Sequence, residues 1–121
     1  VQLDADPNEA VVVGDGQLWL LIPSDLDGWN LVEAAGFVVT ASSSGNVQMQ
    51  VRNVTQAADM LSTKITVEVS ELTSYTAASQ PVVDTANDDV AVGDLIAIDV
   101  DSAGTNAEGR GVVLVFEFPP P

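Results

Sequence analysis

The chain has 121 residues, a net charge of −15 from 3 Lys and Arg against 18 Asp and Glu, and neither His nor Cys. That inventory excludes imidazole acid–base chemistry, thiol nucleophiles, cysteine- or histidine-ligated zinc and disulfides. With Arg52, Lys64 and Arg110 as its whole cationic complement, the chain is not built to neutralise a nucleic-acid backbone.

Apolar residues make up 46% of the chain and charged residues 17%, the balance of a folded domain rather than an acidic tail. One domain over residues 1–121 is expected, with residues 1–10 as an N-terminal arm and Pro119, Pro120 and Pro121 as its end. The longest apolar runs, 18–22 and 112–116, fall far short of the roughly 20 residues of a membrane-spanning helix, so no membrane insertion is expected. The N-terminus lacks the basic start and apolar stretch of a signal peptide. Asp outnumbers Glu by 12 to 6 and Lys occurs once, a bias that fits salty surroundings where counterions screen self-repulsion.

Val occurs 20 times and Thr 8, so the local preference is for strands. In chain order, 11–13 leads into Gly14-Asp15-Gly16, and 17–22 forms a strand stopped by Pro23. Asp27-Gly28 is a turn, followed by an extended stretch over 29–40 with a bulge or bend expected at Gly36. A second turn at 42–46 precedes a strand over 47–53, with Val47, Met49 and Val51 inward and Gln48, Gln50 and Arg52 outward. Residues 55–62 read as a helical turn capped by Thr55, with Met60 and Leu61 inward. The alternation returns over 64–70, then in a short edge strand over 80–85 that contains Pro81. Strands over 92–101 and 112–118 complete the series. Seven or eight short strands with regular turn signals predict a single antiparallel β-sandwich, all-β.

Three of these strands are apolar on both faces, whereas a solvated antiparallel sheet leaves one face polar. If they are sheet neighbours, Trp19, Leu21, Leu95, Val113 and Val115 form an apolar patch that either a long loop covers or an oligomer interface uses, and the interface is the expectation. Chemistry is scarcer. Asp99-Val100-Asp101-Ser102-Ala103-Gly104 opens like a calcium loop but has Ala103 at position 5 and Arg110 at position 12. Asp88, Asp89 and Asp94 remain candidates for calcium held between loops, against the plainer reading as turn carboxylates. Asn53-Val54-Thr55 matches an N-glycosylation acceptor, and Gly14-Asp15-Gly16 and Gly109-Arg110-Gly111 read as turns. Trp29 and Tyr75 are candidates for stacking on a glycan, the expectation for a carbohydrate-binding receptor module or adhesin domain. No catalytic residues are assigned, and no enzyme activity is expected.

The stretch Val51-Arg52-Asn53-Val54-Thr55 and the block 59–65, Asp59-Met60-Leu61-Ser62-Thr63-Lys64-Ile65, resemble small β-sandwich proteins of tailed bacteriophages. So do the run 93–101, Gly93-Asp94-Leu95-Ile96-Ala97-Ile98-Asp99-Val100-Asp101, and the following Gly104-Thr105 and 109–114. Those proteins are fibre, spike or capsid-decoration components. The resemblance spans about residues 15–118 and implies a non-catalytic virion structural protein, a jelly-roll-like homotrimer among other virion proteins. It carries over no catalytic or metal residues. The acidity would suit a virus of a halophilic host.

Overall fold

The computed structural model describes residues 1–118; the expected proline end, 119–121, lies outside them. The chain is all-β and antiparallel. One sheet has the order β1 (Gln2–Asp4), β10 (Gly111–Glu117), β3 (Asn30–Phe37). A five-stranded sheet runs β2 (Gly14–Leu21), β9 (Leu95–Ala103), β4 (Val47–Asn53), β5 (Ala58–Asp59), with β7 (Ile65–Val67) also on β4. A two-stranded ribbon joins β6 (Leu61–Thr63) to β8 (Val82–Val83).

The expected inward residues form the core. Val47, Met49 and Val51 are fully buried, as are Ile65, Ile96 and Ile98. They share one cluster with Leu31 and Ala34 of β3 and with Val112 and Leu114 of β10, so both larger sheets contribute to it. Each fully buried Ile, Leu or Met contributes about 1.5–3 kcal/mol relative to exposure.

The structure revises several expectations. Residues 2–4 of the expected arm are strand β1, paired with β10 from Gln2↔Val113 to Asp4↔Gly111. The irregularity in β3 is not at Gly36: the register to β10 slips between Val115 and Phe116, which skips Val32. Gly36 is instead a point of close approach, since a Cβ there would lie 2.6 Å from both Ile65 and Met49 side chains. No helical turn forms over 55–62. A turn over 54–57 connects β4 to β5, the Gln56 N–H donates to Asn53 Oδ1, and Met60 and Leu61 are buried as expected. Thr55 caps no helix; its hydroxyl accepts from the Leu95 N–H.

Three strands are shorter or shifted. The strand expected over 64–70 ends at Val67, where the Glu71 N–H turns back to the Glu68 carbonyl. The one expected over 80–85 is reduced to Val82–Val83, because the Gln80 side chain folds back onto the Ser74 and Ala77 carbonyls. The strand expected over 92–101 starts at Leu95. The residues before it make a turn at Gly93, whose φ of 88° suits glycine.

Candidate functional site

The two halves of the expected apolar patch lie on different sheets. β2 pairs with β9, which sets Leu21 opposite Leu95 and Trp19 opposite Ala97 on the face away from the core. Trp19 is 51% exposed, Leu21 60% and Leu95 40%. Val113 and Val115 are on β10 in the other sheet, opposite Ala35 and Glu33 of β3. The five residues therefore make no single patch, because the doubly apolar strands are not all neighbours.

The β2 half has a second property. Ile22 N–H donates to the Asp94 carbonyl, and its own carbonyl accepts from Gly93 N–H. Alternation then turns the main-chain groups of Leu18 and Leu20 toward β9 and those of Trp19 and Leu21 toward the opposite edge. Among the described residues no strand pairs with that edge. From Gln17 to Ile22 the sequence has no charge, and Leu18 and Leu20 lean onto the core from the other face. An uncharged open edge that is apolar on both faces is a template for another chain.

An ion pair bounds this end of the sheet. Arg52 Nε donates to Asp99 Oδ2 at 2.7 Å and Nη2 to Oδ1 at 3.2 Å. Asp99 also accepts from the Gly16 N–H at 2.9 Å and is itself 5% exposed. The hydrogen bond to Asp99 outweighs partial burial and raises the Arg52 pKa. Gly16, at φ 64°, lies under the Trp19 ring, whose Nε1 donates to the Gly16 carbonyl. The indole is thus pinned in place while half its surface stays open.

The acidic candidates have structural duties. Asp94 Oδ2 accepts from Asn53 Nδ2 (3.0 Å), Gln56 Nε2 (2.8 Å) and the Ala91 N–H (3.0 Å). Burial works to raise its pKa, but those hydrogen bonds win and the net shift is downward. Asp88 and Asp89 offer main-chain carbonyls to Leu31 N–H and to Gln56 Nε2. Among the described residues no three acidic side chains converge as a metal-binding group. Asp99 and Asp101 lie within strand β9, not in a loop, and pair with Arg52 and Lys64.

The expected glycan platforms are divided too. Trp29 packs against the core, with its ring 6.0 Å from that of Phe118 in an edge-to-face arrangement. Tyr75 is 64% exposed, and its hydroxyl donates to Glu33 Oε2 at 2.9 Å. That hydrogen bond raises the phenol pKa above 10.0. Asn53 of the glycosylation pattern is 1% exposed with its Nδ2 on Asp94, so the folded chain does not present it to a transferase.

Two features escape a linear reading. Arg110 is buried, donating to Glu9 Oε1 and Gln17 Oε1, and so ties residues before and within β2 to the start of β10. At the far end of the five-stranded sheet, a polar cleft opens around Gln48, Thr66 and Lys64. Alternation marks these three only as outward-facing; the one signal for them is that Lys64 is the sole lysine. Comparison with known proteins finds no matching family model, curated protein or solved structure.

Proposed function

We propose that the chain is a non-catalytic structural module of a virus particle, a capsid-decoration or fibre- or spike-head domain of a tailed virus. The virion assignment and the trimer number rest on the resemblance of the 51–55, 59–65 and 93–101 segments. The observation that carries an assembly role is the open β2 edge, uncharged and flanked by exposed Trp19, Leu21 and Leu95. Homo-oligomerisation, with a further virion protein as the remaining partner, gives that edge and its apolar face a cover.

The fold reading proposed with it is a jelly-roll sandwich. Its support is the strand order, β1–β10–β3 in one sheet and β2–β9–β4–β7 in the other, with the chain crossing between the sheets from β1 to β2, β2 to β3, β3 to β4 and β9 to β10. A core shared by both sheets agrees with that reading.

The proposal includes a saline setting. All three cationic side chains are in ion pairs, Arg52–Asp99, Lys64–Asp101 and Arg110–Glu9, which leaves the remaining carboxylates to repel one another. At about 0.01 M salt the screening length is roughly 30 Å, and at 1 M roughly 3 Å. Oligomer mass and melting temperature are therefore expected to rise together across a sodium chloride series, with chelator present to separate screening from calcium binding. A monomer at every salt concentration, or failure to co-purify with particles, would remove the assembly reading. A rise that needs millimolar calcium would point back to Asp88, Asp89 and Asp94.

A further inference from the structure

The polar cleft lies at the β4–β7 end of the five-stranded sheet, with a volume of about 460 Å³. That falls within the roughly 300–1,000 Å³ of small-molecule sites. Its floor is Gln48 of β4 and Thr66 of β7, which are register partners and share the outward face. Ser62 lines it from β6 and Lys64 from the β6–β7 connection, and Glu68 and Ser79 from beyond β7 and before β8.

Its ionic groups are already engaged. Lys64 Nζ is 2.9 Å from Asp101 Oδ2, and Glu68 Oε1 accepts from the Ala78 N–H at 3.3 Å. The uncharged groups are not. Among the described residues no hydrogen bond within the chain engages the Gln48 amide, the Thr66 hydroxyl or the Ser79 hydroxyl, and none of these groups is a buried atom left without a partner. Thr66 is only 8% exposed, yet it lines the cleft. The Thr66 hydroxyl oxygen itself is not cut off from solvent, so it faces the open cleft, where water or a ligand can serve it.

Charge narrows the ligand class. The chain's net −15 and the carboxylates of Glu68 and Asp101 disfavour anions, while Lys64 in the lining disfavours simple cations. Hydroxyls and amides both donate and accept, a pattern matched by a neutral polyhydroxylated molecule. We propose that this cleft binds a neutral saccharide unit through Gln48, Thr66 and Ser79. The site is separate from Trp29 and Tyr75, and its occupancy does not depend on the assembly role proposed above.

The test is saturation-transfer NMR on the intact chain in molar salt. The probes are glucose, galactose, mannose, N-acetylglucosamine and their β-linked disaccharides, with sialic acid as the anionic control. At least one neutral sugar is expected to bind, with the disaccharide arm showing whether a free sugar or a glycan end is preferred. Thr66→Val and Gln48→Ala are expected to weaken that binding roughly tenfold each, the scale of one lost hydrogen bond to a ligand. Should Thr66→Val fail to fold, Ser79→Ala, at an exposed position, serves in its place. Trp29→Ala is expected to leave affinity unchanged. The proposal is overturned if no neutral sugar binds, if sialic acid binds in preference, or if Trp29→Ala abolishes binding while the cleft variants keep it.

Discussion

At one end of the five-stranded sheet the outward positions are Trp19, Leu21 and Leu95; at the other they are Gln48 and Thr66, with Lys64 beside them. Both ends stand on the same inward layer of Ile96, Ile98, Met49 and Ile65, and between them lies the Arg52–Asp99 pair. The strands obey one alternation rule, yet one end is apolar with an open edge and the other is polar with a cleft. Inward positions carry the stability of this sheet, so its outward positions are free to differ, and their difference is where function is to be sought.

The largest expected effect is on association at the apolar end. Trp19→Ala, and likewise Leu21→Asp, is expected to weaken self-association by about 2 kcal/mol or more, roughly thirtyfold, the scale of an interface anchor. Because both side chains are at least half exposed in the single chain, its own melting temperature should change little. Gln48→Ala is expected to leave association untouched. Sedimentation velocity in molar salt measures all three. Equal effects from Trp19 and Gln48 variants would erase the distinction between the two ends.

The divider comes next. Asp99→Ala leaves the Gly16 N–H and the Arg52 guanidinium without their acceptor and frees the turn under the Trp19 ring. A loss of about 2 kcal/mol in urea unfolding is expected, with a change in indole fluorescence as the ring loses its fixed seat. A loss below about 0.5 kcal/mol would mean that the pair is only a surface contact.

These two regions were unequally legible in the sequence. The inward layer was readable residue by residue, because Val47, Met49, Val51, Ile96 and Ile98 alternate without interruption. Double apolarity correctly flagged Trp19, Leu21 and Leu95 as exposed, but alternation within a strand says nothing about which strands are neighbours. Val113 and Val115 were therefore grouped with strands of a different sheet. Gln50 follows the outward pattern and is nonetheless 5% exposed, since its amide grips the Leu61 main chain as β6 crosses. The cleft was illegible for a similar reason. Its lining comes from β4, β6, β7 and the loop before β8, and only the folded chain brings them together.

Acid sharpens the picture near the start of β9. The native Asp94 pKa lies below the ordinary value of 3.8, so the folded state favours the carboxylate more than the unfolded state does. The resulting stability is fully present above about pH 4 and is lost as pH falls through the lower native value. Asp94→Asn keeps one acceptor oxygen and loses the charge, which should cost about 1 kcal/mol at neutral pH. The variant should also lose part of the wild-type chain's steepness of stability below pH 3.8. Parallel acid limbs in urea titrations of the two proteins would show that the three donors to Asp94 supply no net preference for its charge.

The smallest expected effect belongs to the polar end. Lys64 and Asp101 are 2.9 Å apart, but their side chains are 44% and 32% exposed. Two effects then act in the same direction: the pair attracts locally, and the chain's net −15 makes every cation favourable wherever it stands. Solvent weakens the first to about 0.2–1 kcal/mol, and ordering the lysine side chain opposes even that. Lys64→Gln should therefore cost less than about 1 kcal/mol at low salt. At about 1 M, where screening falls to roughly 3 Å, the cost should shrink toward zero. The measurement is the difference in urea midpoint between the two proteins at both salt concentrations. A cost that persisted at high salt would mean that Lys64 acts by packing its stem rather than by charge. In that case the polar end would be part of the framework, and the freedom of outward positions that separates it from the inward layer would be lost.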